Sequence, residues 1–184
     1  MVSGHVSGIL NIMDQPFTVV VNPSSGQGRG ARFISELRRL LSEHALDARI
    51  LVSSSEEHMR ELFADLAKKE RLLAAVGGDT TFTIMARELW RIRRETEKEV
   101  SEMAWIGVGS ANDILRHVGL ERPEAAVAAI KNGQTLDITL GEIRDENDSV
   151  EQFLGSVAFG AAPRVNQAIE RSRSKGRKAA LTTE

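Results

Sequence analysis

Leu72-Leu73-Ala74-Ala75-Val76-Gly77-Gly78-Asp79-Thr80-Thr81 is the stretch that decides the fold. Residues 72–76 form a short unbroken apolar run, the pattern of a strand covered on both faces. Gly77-Gly78 stops the run and turns the chain. A helical segment follows from Thr81 to about residue 99, ending in strongly charged sequence. A strand that ends in Gly-Gly-Asp places a carboxylate at the edge of a sheet.

The same alternation extends in both directions. Upstream, residues 17–22 (FTVVVN) are a β-branched run that ends in Asn22-Pro23, a buried strand running into a turn. Residues 29–43 carry Phe33, Leu37, Leu40 and Leu41 at helical spacing. Residues 47–53 read as a second strand. Residues 55–69 read as a helix, with Ser55 as its cap and Met59, Leu62, Phe63 and Leu66 in one stripe. Downstream, 103–108 (MAWIGV) is a fourth strand, followed by short helices over 111–118 and 123–132. Pro123 suits a first helical position.

Strands alternating with helices predict an α/β fold: a mostly parallel sheet with helices on both faces. After Gly133 the pattern changes. Residues 135–144 and 152–159 read as strands joined by an acidic loop (Asp145, Glu146, Asp148), too close together for a crossover helix. An antiparallel pair, the start of a second β domain, follows from that. The expected organisation is a flexible Gly- and Ser-bearing leader over 1–15, an α/β domain over 16–133, the start of a β domain over 134–161, and a basic, disordered tail over 162–184.

Composition narrows the function. Of 184 residues, 41% are hydrophobic and 27% charged, which suits a soluble domain. The formal net charge of -2 gives no basic field to gather nucleic acid, and 4% aromatic content does not favour base stacking. No cysteine is present, which excludes disulfides and thiolate metal sites and fits a reducing, cytoplasmic setting. No apolar run approaches the roughly 20 residues that span a bilayer, and the first 15 residues lack the basic start of a signal peptide. His5, His44, His58 and His117 show no metal spacing. Trp90 and Trp105 read as packing residues. Arg87, Arg91, Arg93 and Arg94 alternate with Glu88, Glu95 and Glu97, as a solvated helix face does. The basic tail could touch anionic lipid, each charge adding about 1 kcal/mol; a disordered end accounts for it equally well.

Three polar, glycine-bearing loops follow strands, and in open α/β sheets ligands bind beyond the carboxyl ends of strands. The first is Asn22-Pro23-Ser24-Ser25-Gly26-Gln27-Gly28. Its glycines admit close backbone approach, and its amides open a helix, where phosphate is favoured. It is neither a Walker A loop nor a dinucleotide fingerprint. The second is Gly77-Gly78-Asp79-Thr80-Thr81, whose carboxylate could bind Mg²⁺, orient it through water, or accept a proton from an attacking hydroxyl. The third is Gly107-Val108-Gly109-Ser110-Ala111-Asn112-Asp113, where Ser110, Asn112 and Asp113 suit a ribose, base or phosphate. Each loop taken alone is explained as well by helix capping and turning. On that plainer view Asp79 caps the helix it opens, and Asp79→Asn leaves the melting temperature almost unchanged.

Together, in this order and spacing, the loops resemble the diacylglycerol kinase catalytic-domain family, which includes bacterial lipid kinases, sphingosine kinases and ceramide kinases. Asn22-Pro23-Ser24-Ser25-Gly26 is similar to the family's opening Asn-Pro-x-Ser-Gly. Gly77-Gly78-Asp79-Thr80-Thr81 is similar to Gly-Gly-Asp-Gly-Thr, and Gly109-Ser110-Ala111-Asn112-Asp113-Ile114-Leu115-Arg116 to Gly-Thr-Gly-Asn-Asp-x-Ala-Arg. Asp137 stands where the family often has Asp on entering its second domain, and 153–160 resembles its next strand and glycine. The resemblance runs over about 17–165.

It implies a two-domain kinase that moves the γ-phosphate of ATP, with Mg²⁺, to a lipid hydroxyl such as that of diacylglycerol. Asn22, Ser24, Ser25 and Gly26 would meet nucleotide phosphates. Gly77 would join them in nucleotide binding, Gly78, Asp79 and Thr81 would lie at the reaction centre, with Asp79 catalytic, and Ser110, Asn112 and Asp113 would line the cleft. The expected partner is a lipid at a membrane surface, met by a cytoplasmic, peripheral protein; a homo-oligomer is compatible with this. An NAD kinase also carries Gly-Gly-Asp-Gly-Thr, but the first and third loops look like the lipid kinases. A nucleotide-binding regulatory module without turnover is the remaining alternative. Three departures bear on activity more than on fold. Thr80 replaces the motif glycine, which would strain the chain if φ there is positive. Ile84 stands where the family has an acidic residue. The second domain is only begun before Glu184.

Overall fold

The computed structural model describes residues 15–155. All but the last residue of the leader expected over 1–15, the end of the strand expected over 152–159, and the basic tail lie outside the described residues. Within them the order is β1 (Phe17–Val21), α1 (Ser25–Glu43), β2 (Ala48–Val52), α2 (Glu56–Leu66), β3 (Leu72–Gly77), α3 (Asp79–Thr96), β4 (Glu102–Gly107), α4 (Asp113–His117), α5 (Pro123–Lys131), β5 (Gly141–Arg144) and β6 (Val150–Phe153).

The first four strands form one all-parallel sheet in the order β2-β1-β3-β4. The central strands β1 and β3 are buried along their whole length, which is why their sequences are apolar but for Thr18, whose hydroxyl donates to Glu70 at 2.8 Å. The edge strand β2 alternates between partly covered and exposed positions. Successive side chains of a strand point to opposite faces, and the core divides accordingly. Phe17, Val19 and Val21 of β1, with Ala74 and Val76 of β3, pack under Leu37, Leu40 and Leu41 of α1 and Val127 and Ile130 of α5. Val20, Leu73 and Ala75 face the other way, under Met59 and Phe63 of α2 and Phe82, Met85 and Leu89 of α3. Burying each such side chain fully contributes about 1.5–3 kcal/mol.

Local signals account for the element ends. Ser55 caps α2 by accepting a hydrogen bond from the His58 amide at 3.0 Å. Pro123 opens α5. Phe82 and Trp105 stack with centroids 5.2 Å apart, and Arg94 sits 5.1 Å over Trp90, so both tryptophans are packing residues. The charged face of α3 is ion-paired: Arg91 bridges Glu88 and Glu95, and hydrogen bonding to both raises the pKa of its guanidinium.

After α5 the structure narrows one expectation. The strand expected over 135–144 begins only at Gly141; residues 134–140 have no regular structure and are mostly exposed, with Leu136 64% exposed. Strand-like alternation there has no neighbouring strand to pair with among the described residues. β5 and β6 do form the expected antiparallel pair, joined by the acidic loop. Arg87 and Arg94 on α3 hold it through Glu151 at 3.1 Å and Glu142 at 4.0 Å. No helix among the described residues is long and apolar enough to cross a membrane.

Candidate functional site

Strand order 2-1-3-4 reverses direction between β1 and β3, the place where an open α/β sheet leaves a crevice. The loops after β1, β3 and β4 converge beside this point and are tied to one another in pairs. Asn22 Nδ2 donates to Thr81 Oγ1 at 2.9 Å, joining the first loop to the second, and Ser25 Oγ lies 3.4 Å from the same oxygen. The Val108 and Gly109 amides donate to the Gly77 carbonyl at 2.8 and 3.1 Å, joining the second to the third. Arg29 Nη2 donates to the Gly109 carbonyl at 2.7 Å, closing the ring between the third and the first.

The glycines are required by this closeness. Gly26 (φ 58), Gln27 (φ 61) and Gly28 (φ 84) are left-handed, so the regular part of α1 starts at Arg29, where the apolar spacing places it. A Cβ on Gly26 would overlap the Val108 carbonyl oxygen. Gly78 and Gly109 pass so near each other that a Cβ on either would lie 3.0 or 2.6 Å from the other's Cα.

Asp79 does not cap its own helix. The N-cap of α3 is Gly78, which has no side chain to offer. The Asp79 carboxylate instead accepts the Asp113 amide at 3.1 Å and the Ile114 amide at 3.3 Å, at the start of α4. The carboxylate is half-buried and joins the second loop to the third. Thr80, beside it, is exposed and lies in the first turn of α3 without positive φ. The strain that a left-handed backbone would impose at Thr80 is therefore absent.

The remaining expected residues divide by depth. Ser24, Ser110 and Asp113 are exposed, and Asp113 pairs with Arg116 at 3.1 Å. Thr81 and Asn112 are buried, at 1% and 8% exposure. Thr81 holds Asn22 in place. Asn112 is left-handed (φ 52), a conformation Asn tolerates, and its Oδ1 lies buried beside Gly78 and Gly109 with no hydrogen-bond partner. Ile84 is buried in the core under α3.

Sequence reasoning missed Arg29, whose spacing in the loop carries no signal that its head reaches the third loop.

The sequence model of the family described as the diacylglycerol kinase catalytic domain matches residues 16–143. The chain belongs to this family. Diacylglycerol kinases of Mycobacterium tuberculosis strains CDC 1551 / Oshkosh and ATCC 25618 / H37Rv are each 29% identical to it over 160 residues, or 85% of this chain and 49% of theirs. The chain thus spans about half the length of the curated relatives it matches. The crystal structure of a diacylglycerol kinase from Bacillus anthracis strain Sterne superposes with a TM-score of 0.57 at 22% identity. That match covers 67% of this chain and 42% of the other, and it shows the shared fold.

Family membership implies a divalent metal and a nucleotide. Among the described residues no group of three or more His, Cys, Asp or Glu side chains could hold a metal ion. Asp79 offers one half-buried carboxylate and Asp113 an exposed one next to the amides that Asp79 holds. This donor set fits Mg²⁺ in its common setting, bound through one or two carboxylates together with substrate phosphates.

Proposed function

We propose that this chain is the nucleotide-binding part of a lipid kinase that transfers the γ-phosphate of ATP to a lipid hydroxyl such as that of diacylglycerol. The observation that carries this reading is the ring of three loops at the switch point, in which the Asp79 carboxylate is fixed by the Asp113 and Ile114 amides. The left-handed turn over 26–28, with glycine at 26 and 28, lets backbone amides approach phosphates closely. Ser24 and Ser25 add hydroxyl donors, and the amides opening α1 favour an anion. Mg²⁺, carried in on the phosphates, would supply charge neutralisation during transfer. Asp79 would then orient that charge or take the proton of the attacking hydroxyl, Thr81 would keep the first loop in register, and Ser110, Asn112 and Asp113 would contact the nucleotide. The acceptor would be met at a membrane surface by a peripheral, cytoplasmic protein.

Because ATP binds the folded state, nucleotide in excess of its dissociation constant should raise the melting temperature by mass action. Ser25→Asp, which sets a negative charge against the phosphates, should weaken the shift; an equal shift in both proteins would remove the first loop from the site. Transfer of labelled phosphate from ATP to diacylglycerol in vesicles tests the reaction itself. Phosphorylation of NAD with none of the lipid would instead make the chain an NAD kinase. Nucleotide binding without any turnover would make it a regulatory module, a reading favoured by Ile84, which buries an aliphatic side chain where the family has an acidic one.

A further inference from the structure

Most of the arginine side chains that make polar contacts in the structure are ion-paired. Arg39, Arg49, Arg60, Arg87, Arg91, Arg94, Arg116 and Arg144 each face a carboxylate within 4.0 Å. Arg29 differs. Its guanidinium donates from Nη2 to the Gly109 carbonyl at 2.7 Å and from Nε to the Gly26 carbonyl at 3.1 Å, and both acceptors are neutral. Two of its five N–H donors are used. The charge stands at the junction of the first and third loops with no acidic partner among the described residues. The other arginine that holds the third loop, Arg116, bonds the Ala111 carbonyl at 2.9 Å but has its charge met by Asp113. A guanidinium anchored by two backbone carbonyls loses little further freedom on meeting a ligand, and its planar fork suits phosphate oxygens.

We propose that Arg29 is the cation that receives the nucleotide's phosphates, held ready for them by the Gly26 and Gly109 carbonyls. This inference rests on the reading of the crevice as a nucleotide site, and it goes beyond the motif residues by assigning the positive charge that those residues do not supply. It makes three demands. The contribution of Arg29 must scale with phosphate and not with base or sugar. It must need the fork as well as the charge. It must weaken with salt, as charge contacts at an exposed site do.

The test is titration of the 184-residue chain with ATP, ADP, adenosine and inorganic tripolyphosphate by calorimetry, for the natural protein and for Arg29→Gln and Arg29→Lys. The expected result is a loss of about tenfold or more in affinity for ATP and tripolyphosphate in Arg29→Gln, a smaller loss in Arg29→Lys, and unchanged affinity for adenosine. Amide exchange at Gly26 and Gly109 reports whether the loops stay in place; a merely structural arginine would lower adenosine and ATP affinity alike. Equal ATP affinity in the natural protein and Arg29→Gln overturns the inference and leaves the proposed function intact. Binding of tripolyphosphate, but not of ATP, by the natural protein alone keeps the phosphate role of Arg29 and removes the kinase reading. Binding of neither ligand overturns both.

Discussion

Asp79→Asn tests the site most directly, because the structure assigns that carboxylate a load the sequence does not show. Its two oxygens accept the Asp113 and Ile114 amides at 3.1 and 3.3 Å. Hydrogen bonds to a charged group contribute about 1.5–3 kcal/mol each when well made. These two lie at or past the long end of the usual range, and Asp79 is half-buried, so solvent weakens both. Asparagine keeps one acceptor and turns an NH₂ donor toward the second amide. A loss of about 1–2 kcal/mol follows, which for a chain of this size lowers the melting temperature by about 2–8 °C. Thermal melts give the magnitude. Hydrogen exchange localises it, with faster exchange expected at the Asp113 and Ile114 amides. Phosphate transfer should fall further than stability does, by about 100-fold or more, if the same carboxylate acts on the attacking hydroxyl. An unchanged melting temperature together with unchanged exchange at 113 and 114 would refute the bridge between the second and third loops. It would restore the plainer expectation that the substitution is silent.

Three further outcomes follow from the same geometry. Thr81→Val leaves Asn22 Nδ2 without its acceptor and should cost about 1–3 kcal/mol by chemical denaturation, with nucleotide affinity reduced, whereas Thr81→Ser should keep both bond and affinity; equal affinity in the two variants would separate Thr81 from the first loop. Gly26→Ala should destabilise more than Gly28→Ala. Both residues have positive φ, worth about 1–2 kcal/mol against a Cβ, but only Gly26 faces the Val108 carbonyl at contact, while the nearest atom to a Cβ on Gly28 is 3.7 Å away; the reverse order in denaturant midpoints would refute the packing of the first loop on the third. Thr80→Gly should lower stability by no more than about 0.5 kcal/mol, the difference in helix propensity at an exposed first-turn position; a gain of 1 kcal/mol would show that Thr80 is strained after all.

The parallel sheet and the two helical layers were legible in the sequence because their signals are local. The Val-rich run at 17–21 and the unbroken apolar run at 72–76 mark strands covered on both sides, and the stripes on α1 and α2 show which face each helix buries. The three glycine-bearing loops were legible for the same reason, each following a strand. The tertiary structure alone decided what the loop residues do to one another. A capping Asp and a bridging Asp have the same sequence signature, since both follow a glycine and open a helix; only the approach of α4 to the end of β3 gave the Asp79 carboxylate the amides of Asp113 and Ile114. Arg29 reads as one more charged residue on an amphipathic helix until folding brings the Gly109 carbonyl, 80 residues away in the chain, within 2.7 Å. Thr80 shows the converse: the motif glycine would imply strain only if φ there were positive, and the backbone is helical at that position. Hydrophobic periodicity reports how a segment meets the core. It carries no information about which polar groups from distant segments meet at the carboxyl edge of the sheet, because strand order and loop approach set those distances.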